Sequence, residues 1–298
     1  MAANDALSRV AEPSTLEVRD VTKLFGEGPL ARPVVQGCSF TLESGKLNAM
    51  IGPSGCGKST IAFLVAGFER PAQGQILLDG QAVTAPSRDR LLLFQETALL
   101  PWLTTYNNVL FGPKVRGRVD RETKQRAEQL LVRVGLSEFR DRYPAQLSGG
   151  MQRRAELAGA LINDPKIMIL DEPFRGLDAM SRGLMQEYYS HLFEEGRRTT
   201  LFITTDIDEA IFLADRLLIM ANLPTRVREV IEVDLPRPRD KHEVLASERA
   251  SKIKAQALDV LHEEALKSFA GGDSAAADFV EAYSRRQEES ADDGAPAR

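Results

Sequence analysis

Scarcity bounds this 298-residue chain before any motif does. Only two cysteines are present, Cys38 and Cys56, too few for a disulfide framework, and their rarity points to a reducing cytosol. The longest apolar runs, such as Leu91–Phe94 and Ile167–Leu170, fall well short of the ~18 residues that a bilayer crossing needs, so the chain is expected not to span a membrane. Its first residues, Met-Ala-Ala-Asn-Asp-Ala-Leu, lack the charged and apolar blocks of a secretory signal. A basic excess is missing as well. Lys and Arg number 38 against 43 Asp and Glu, a net charge of −5, which excludes the electropositive footprint of a nucleic-acid binder. Most of the acidic excess lies in residues 241–298, with 8 Lys/Arg and 12 Asp/Glu. Histidine occurs three times, at His191, His242 and His262, and tryptophan once, at Trp102. With 43% hydrophobic and 27% charged residues there is ample material for one large core in a globular chain.

Against those absences stands one contiguous motif. Gly52-Pro53-Ser54-Gly55-Cys56-Gly57-Lys58-Ser59-Thr60 fits the phosphate-loop pattern G-x-x-x-x-G-K-[ST] at every defined position. Leu47–Ile51 before it reads as a short buried strand, and Ser59-Thr-Ile-Ala-Phe-Leu-Val-Ala after it as the start of an apolar helix. A strand, a glycine turn and a helix aim backbone N–H groups and the positive end of the helix dipole at one point, which favours a nucleoside triphosphate there. In such a loop Lys58 reaches the β and γ phosphates and the Ser59 hydroxyl ligates magnesium. A chance glycine-rich turn would not carry the strand and helix on either side.

The remaining segments organise around that loop. Residues up to about Ser14 are small and polar and read as loose; Leu16–Val21 alternates like an edge strand, and Val34–Leu42 resumes the alternation, giving an antiparallel β layer beside a parallel core. Phe25 ends the first hairpin, where it is either a core residue or a ring that stacks on a base. Gln75–Gly80 forms a hairpin strand, and Leu91–Phe94 an apolar one that delivers Gln95 to its exit, as an ordinary polar strand end or as a site residue. Leu99-Leu-Pro-Trp-Leu is an apolar loop that either packs on the core or docks a partner. Helices are expected at Arg118–Val134 and Leu147–Leu161, the latter opening with Ser148-Gly149-Gly150, so a helical subdomain interrupts the core. Ile167–Leu170 is a second buried strand carrying Asp171-Glu172-Pro173 to its C-terminal end, where open parallel sheets bind ligands. Paired carboxylates there suit a magnesium ion and a general base. Strands at Thr199–Thr205, Leu217–Met220 and Val227–Leu235, with a helix at Asp208–Asp215, complete an α/β, doubly wound sheet.

The motif set as a whole resembles the ATP-binding subunit of ATP-binding-cassette (ABC) transporters over roughly residues 16–239: the phosphate loop, Gln95, Leu147-Ser148-Gly149-Gly150-Met151-Gln152, Ile167–Pro173 and Gly176-Leu177-Asp178 occur in that family's order. Within it, Leu100-Pro-Trp-Leu-Thr104, Asn107-Asn-Val109 and Asp208–Arg216 look most like bacterial importers of nitrate, sulfonate, taurine and similar small solutes. The resemblance implies a cassette over residues 16–240, with a helical subdomain at about 96–160, a loose segment 1–15 before it and a helical extension 241–298 after it. It also implies a head-to-tail pair of such chains, identical or not, with two ATP molecules between them. Gly52 to Thr60 would hold the phosphates of one ATP, Phe25 would stack its adenine, and the partner's copies of Ser148, Gly149 and Gly150 would cap its γ-phosphate. Asp171, with Ser59, would support magnesium, Glu172 would be the general base, Gln95 would sense the metal and the attacking water, and Asp178 would cross the interface. The loop around Trp102 and Tyr106 would receive a membrane permease, placing the chain on the cytoplasmic face of the plasma membrane, with a solute-binding protein as an indirect partner and nucleic acid as none.

Three positions depart from the resembled pattern. Where that family has a histidine for the γ-phosphate, Ile203-Thr204-Thr205-Asp206 places Thr205. Either Thr205 still positions the phosphate and hydrolysis is slower, by about 10²–10³ for one lost charge-stabilising donor, or the chain supplies a weak site beside a different, complete ATPase chain. A non-hydrolysing regulatory module remains a third reading; a soluble ABC ATPase of nucleic-acid repair or translation is disfavoured by the single cassette without a coiled-coil insertion. Arg175-Gly176 stands where small residues are usual, with Arg175 bridging to the partner or, as the simpler reading, pointing into solvent. Gly159 replaces an arginine inside a helix, with no role that the sequence discloses. Past Pro238, Ser247–Phe269 has an apolar helical stripe at Ile253, Ala257, Val260 and Leu261 that reads as docking on its own core; Phe279, Val280 and Tyr283 suggest a second short helix, and Gln287–Arg298 a disordered end.

Overall fold

The computed structural model describes residues 14–270. The chain enters through β1 (Leu16–Phe25) and β2 (Arg32–Leu42), crosses to β3 (Leu47–Ile51), turns through the glycine loop into α1 (Lys58–Ala66), and returns as β4 (Gln73–Leu78) and β5 (Gln81–Ala82). A four-stranded antiparallel sheet, β2-β1-β4-β5, results. The second sheet is six-stranded, in the order β10-β9-β3-β8-β7-β6, from β6 (Arg90–Leu93), β7 (Ile167–Asp171), β8 (Thr199–Ile203), β9 (Arg216–Met220) and β10 (Val227–Glu232). Its neighbours are parallel except β10, which runs against β9.

Strands β3, β7 and β8 are buried at every residue, as uninterrupted apolar runs in a sheet covered on both faces must be. Polar donors in these runs find carbonyls: the Asn48 amide donates to the Lys46 and Thr200 carbonyls, and the Thr199 hydroxyl donates to the Ser14 carbonyl at 2.7 Å. Between β6 and β7 lie the short helices α2 (Thr105–Val109) and α3 (Phe111–Val115), then α4 (Arg121–Arg133) and α5 (Gly149–Leu161). Asn108 closes the loop ahead of them, its amide donating to the carbonyls of Leu100, Leu103 and Thr104 while its oxygen accepts from the Leu100 N–H at 2.8 Å. That pinned loop holds Trp102 out at 69% exposure.

Of the strand ends that differ from the sequence expectation, two have a local cause in side-chain and backbone hydrogen bonds. β8 stops at Ile203 rather than Thr205, because the Thr204 hydroxyl accepts from the Asp206 N–H and the Asp206 carboxylate caps α7 (Ile207–Leu213) by accepting from the N–H groups of Asp208 and Glu209. The chain has begun a helix cap where alternation still reads as strand. β10 stops at Glu232 rather than Leu235, with the Val233 N–H turned to the Asp215 carbonyl. The buried Arg239 guanidinium then binds five carbonyls, among them Phe212 and Ala214 at the end of α7 and Leu235 beyond β10; burial pulls its pKa down to about 10. After α6 (Ala179–Gly196) and the short α8 (Lys241–Ala246), α9 (Glu248–Ala270) buries Ile253 and Ala257 and packs Val260 and Leu261 against the main core. The stripe therefore docks on its own chain. The expected second helix near Phe279, the expected disordered end at 287–298 and residues 1–13 of the loose segment expected over 1–15 lie outside the described residues. The last two residues of that segment are fixed instead, Ser14 buried with its carbonyl accepting from the Thr199 hydroxyl and the Thr15 N–H donating to Asp79 Oδ1 at 3.1 Å. Among the described residues no helix is long and apolar enough to cross a membrane.

Candidate nucleotide site

The phosphate loop leaves the C-terminal end of β3 and becomes the first turn of α1. Gly57 caps that helix with φ 103°, and a Cβ there would lie 3.1 Å from Thr225 Cγ2 and 3.2 Å from Val34 Cγ1, so both conformation and space demand glycine. Gly55, at φ 77°, is held by conformation alone, with nothing within 4 Å of a Cβ. Gly52 and Cys56 are buried under the loop, Ser54, Gly55 and Ser59 are exposed, and Pro53 and Thr60 are half-buried. Burial pushes the Cys56 thiol pKa up, so this cysteine is packing rather than a nucleophile. Lys58 is buried, its Nζ donating to the Gly52 carbonyl at 2.9 Å and the Pro53 carbonyl at 2.8 Å. The loop thus folds around its own ammonium group, which holds it in the shape of a cradle.

Facing that cradle is the tip of β7. Asp171 is 7% exposed and accepts a hydrogen bond from the Ser59 hydroxyl. Burial raises its pKa; the Ser59 bond opposes that, the Glu172 charge adds to it, and Lys58 opposes it. Adjacent hydroxyl and carboxylate oxygens at a phosphate site are the ligands a small hard cation takes, with phosphate and water completing its shell; Ser59 and Asp171 fit magnesium in this respect. Glu172 follows with φ 44°, a left-handed conformation rare outside glycine that costs on the order of 1 kcal/mol. Its N–H donates to the Ile203 carbonyl at 2.9 Å, locking the tip of β7 to the end of β8. A cavity of about 460 Å³ opens between the two, lined by Gly52, Pro53, Ser54, Glu172, Arg175, Thr205 and Asp206 among others. Thr205 is exposed on its wall.

Arg175 is the main correction to the sequence reading. Its Nη1 donates to Glu172 Oε2 at 2.9 Å, and with the Gln95 amide oxygen turned toward the arginine, Nη1 and Nε donate to it at 2.8 and 3.2 Å. Although the side chain is 62% exposed, its guanidinium has partners within the chain and joins Gln95 to Glu172. A second cation, this one buried, has no counterpart in the sequence reading. Arg153, on α5, donates to the carbonyls of Phe94 and Gln95 and to Glu156, whose other oxygen accepts from the Ala98 N–H. The segment that leaves β6 is therefore tied to α5 at both backbone and side chain.

The other expected site residues lie apart from this cavity. Phe25 sits at the end of β1, 44% exposed, with Lys23 Nζ 5.2 Å from its ring centre, so it is not a core residue. Ser148 caps α5 by accepting from the Met151 N–H, and Ser148 and Gly149 are exposed. Asp178 caps α6 by accepting from the Ser181 N–H at 3.0 Å, and the Ser181 hydroxyl, with that N–H, holds its pKa down. Ser148 and Asp178 belong to one surface, since a Cβ on Gly149 would lie 3.2 Å from Leu177 Cδ2.

The family model described as "ABC transporter" matches residues 35–175. An aliphatic sulfonates import ATP-binding protein of Bacillus cereus is 38% identical over 242 residues, covering 81% of this chain and 95% of that protein. This chain belongs to the ABC transporter ATP-binding family. The cassette is also 41% identical over 231 residues to a nitrate import ATP-binding protein of Synechococcus elongatus, covering 76% of this chain and 84% of the relative. Among solved structures it resembles a dimeric post-hydrolysis state of an ATP-binding cassette bound to ADP and Pi, with a TM-score of 0.65 at 26% identity, covering 74% of this chain and all of that one. The cassette is an ATP-binding, ATP-hydrolysing subunit of the transporter type, with the α/β fold of its relatives.

Proposed function

We propose that this chain energises an importer of a small oxyanion by hydrolysing ATP at sites shared between two ATP-binding subunits. The observation that carries the reading is the division of the site: Gly52, Pro53 and Ser54 of the cradle line one cavity with Glu172, while Ser148, Gly149 and Asp178 form an exposed surface outside it. A second subunit, related head to tail, would bring that surface over the cradle. Gly52 to Thr60 then grip the phosphates, Phe25 stacks the adenine, and Ser148–Gly150 of the other subunit seal the γ-phosphate. Ser59 and Asp171 hold magnesium, with Gln95 in reach of the loaded site; bound there, the ion neutralises phosphate charge. Glu172 takes the proton from the attacking water.

Sulfonate, bicarbonate and nitrate are the substrates named for relatives of this chain, and small oxyanion import is the chemistry they share. The motion passes to a permease docked where Leu99, Leu100, Phe111 and Gly159 line an apolar cleft of about 270 Å³. Without a side chain at Gly159 the cleft stays open to an apolar helix end. Held this way, the cassette, residues 16–240 with its α9 extension, is peripheral to the cytoplasmic face of the membrane, and a solute-binding protein acts on the far side. Replacing Glu172 with Gln tests the core of the reading: turnover falls by at least about 10²-fold while an ATP-stabilised dimer accumulates in size-exclusion chromatography. Unchanged turnover would remove Glu172 as the base.

A further inference from the structure

The cavity beside the phosphate loop needs positive charge when a triphosphate enters, because the transferring phosphoryl group keeps its charge on its oxygens through the reaction. Lys58 belongs to the phosphate grip already described and does not line this cavity, and Thr205, in the cavity wall, carries no charge. Two cations line it. Arg182 donates to the Leu177 carbonyl, a bond that serves the turn before α6. Arg175 is different: its partners are Glu172 and Gln95, two side chains rather than backbone, and its side chain is 62% exposed. No element of the fold depends on it.

We propose that Arg175 is the cation that serves the terminal phosphate of ATP, filling the place that Thr205 leaves without charge. The inference rests on the reading of Glu172 as general base. The guanidinium sits on the two acceptors that face the reacting end, Glu172 and Gln95. A terminal phosphate offers more negative charge than one carboxylate oxygen, and a planar fork of N–H donors matches it in a two-point contact. As the phosphate enters, Arg175 exchanges Glu172 for it, which leaves the carboxylate to accept a proton from water and adds a donor where charge must be stabilised.

The test is steady-state ATPase of the full chain at saturating ATP and magnesium, with ADP affinity measured by equilibrium dialysis. Arg175→Ala is expected to lower kcat by about 10²-fold with ADP affinity and melting temperature unchanged, since ADP lacks the phosphate concerned and the arginine holds no fold element. Arg175→Lys keeps the charge without the fork and is expected between the two. Adding Thr205→His to Arg175→Ala should recover about tenfold, more than Thr205→His adds to the wild-type chain, because the two substitutions then share one role; an arginine of purely structural value would show no such rescue. Turnover of Arg175→Ala at or above the wild-type rate, the mark of a brake on Glu172, overturns the proposal, and so does an absent rescue. Glu172→Gln run alongside separates the failures: if it is inert while Arg175→Ala is unimpaired, the proposal alone falls, and if it turns over normally, the base assignment falls with it.

Discussion

Asp171 is a carboxylate in a place that penalises charge. It is nearly buried, its neighbour Glu172 is acidic, and the Ser59 bond together with the Lys58 charge does not offset the burial, so its pKa lies above the ordinary carboxylate value. The sign of the linkage follows: a raised folded-state pKa means the folded chain holds this proton more tightly than the unfolded chain, so the nucleotide-free protein gains stability as pH falls from neutrality through that window and loses it as pH rises. Asp171→Asn removes the charge at near-constant shape. Its thermal midpoint without nucleotide is expected to rise by about 2 °C, on the order of 1 kcal/mol for a chain of this size, while magnesium-dependent ATP turnover is lost. Calorimetry without nucleotide, beside a turnover assay, checks both; a lowered midpoint would mean that Asp171 stabilises the fold rather than straining it. The phosphate-loop residues were legible in the sequence because their role is carried by contiguous backbone: nine adjacent residues state the whole cradle. Arg175 was not, because its meaning is its distance to Gln95, a residue 80 positions earlier that only the sheet brings near.

At the scale of elements, the parallel strands were readable wherever burial makes an unbroken apolar run, as in Ile167–Leu170, and less so where a cap competes, as at Thr204 and Asp206. The joint between β6 and α5 gave no sequence signal, since Arg153 and Glu156 read as an ordinary exposed i, i+3 pair on a helix. Both are 7% exposed at the side chain, and they bind the backbone of Phe94, Gln95 and Ala98. Burial outweighs the arginine for Glu156, whose pKa is raised. Removing one partner strands the other, so Arg153→Ala is expected to destabilise by about 3–5 kcal/mol, whereas Arg153→Met with Glu156→Leu should cost markedly less. Denaturant unfolding of the three proteins decides the order. If the double replacement also loses solute-coupled turnover while remaining folded, the joint is the route by which the segment after Gln95 moves with the signature helix.

For the whole molecule the decisive matter is that the two residue groups read as half-sites do not share a cavity within one chain. Gly52, Pro53 and Ser54 of the cradle and Glu172 line one cavity, and Ser148, exposed, opens α5 outside it. In the proposed head-to-tail pair, two copies related by a two-fold axis would join each cradle to the other copy's serine. That geometry makes complementation arithmetic. A chain with Lys58→Ala cannot grip phosphate and a chain with Ser148→Arg cannot seal it, so each variant alone is expected to be inert. In a mixed pair both defects fall in one site and the other site is built from the intact cradle and the intact serine. Random pairing makes half the dimers mixed, each with one working site, so an equal mixture should recover about one quarter of wild-type turnover. Sites closed within a single chain would recover nothing at any mixing ratio, and the ratio of activity to mixing fraction distinguishes the two without a structure of the dimer.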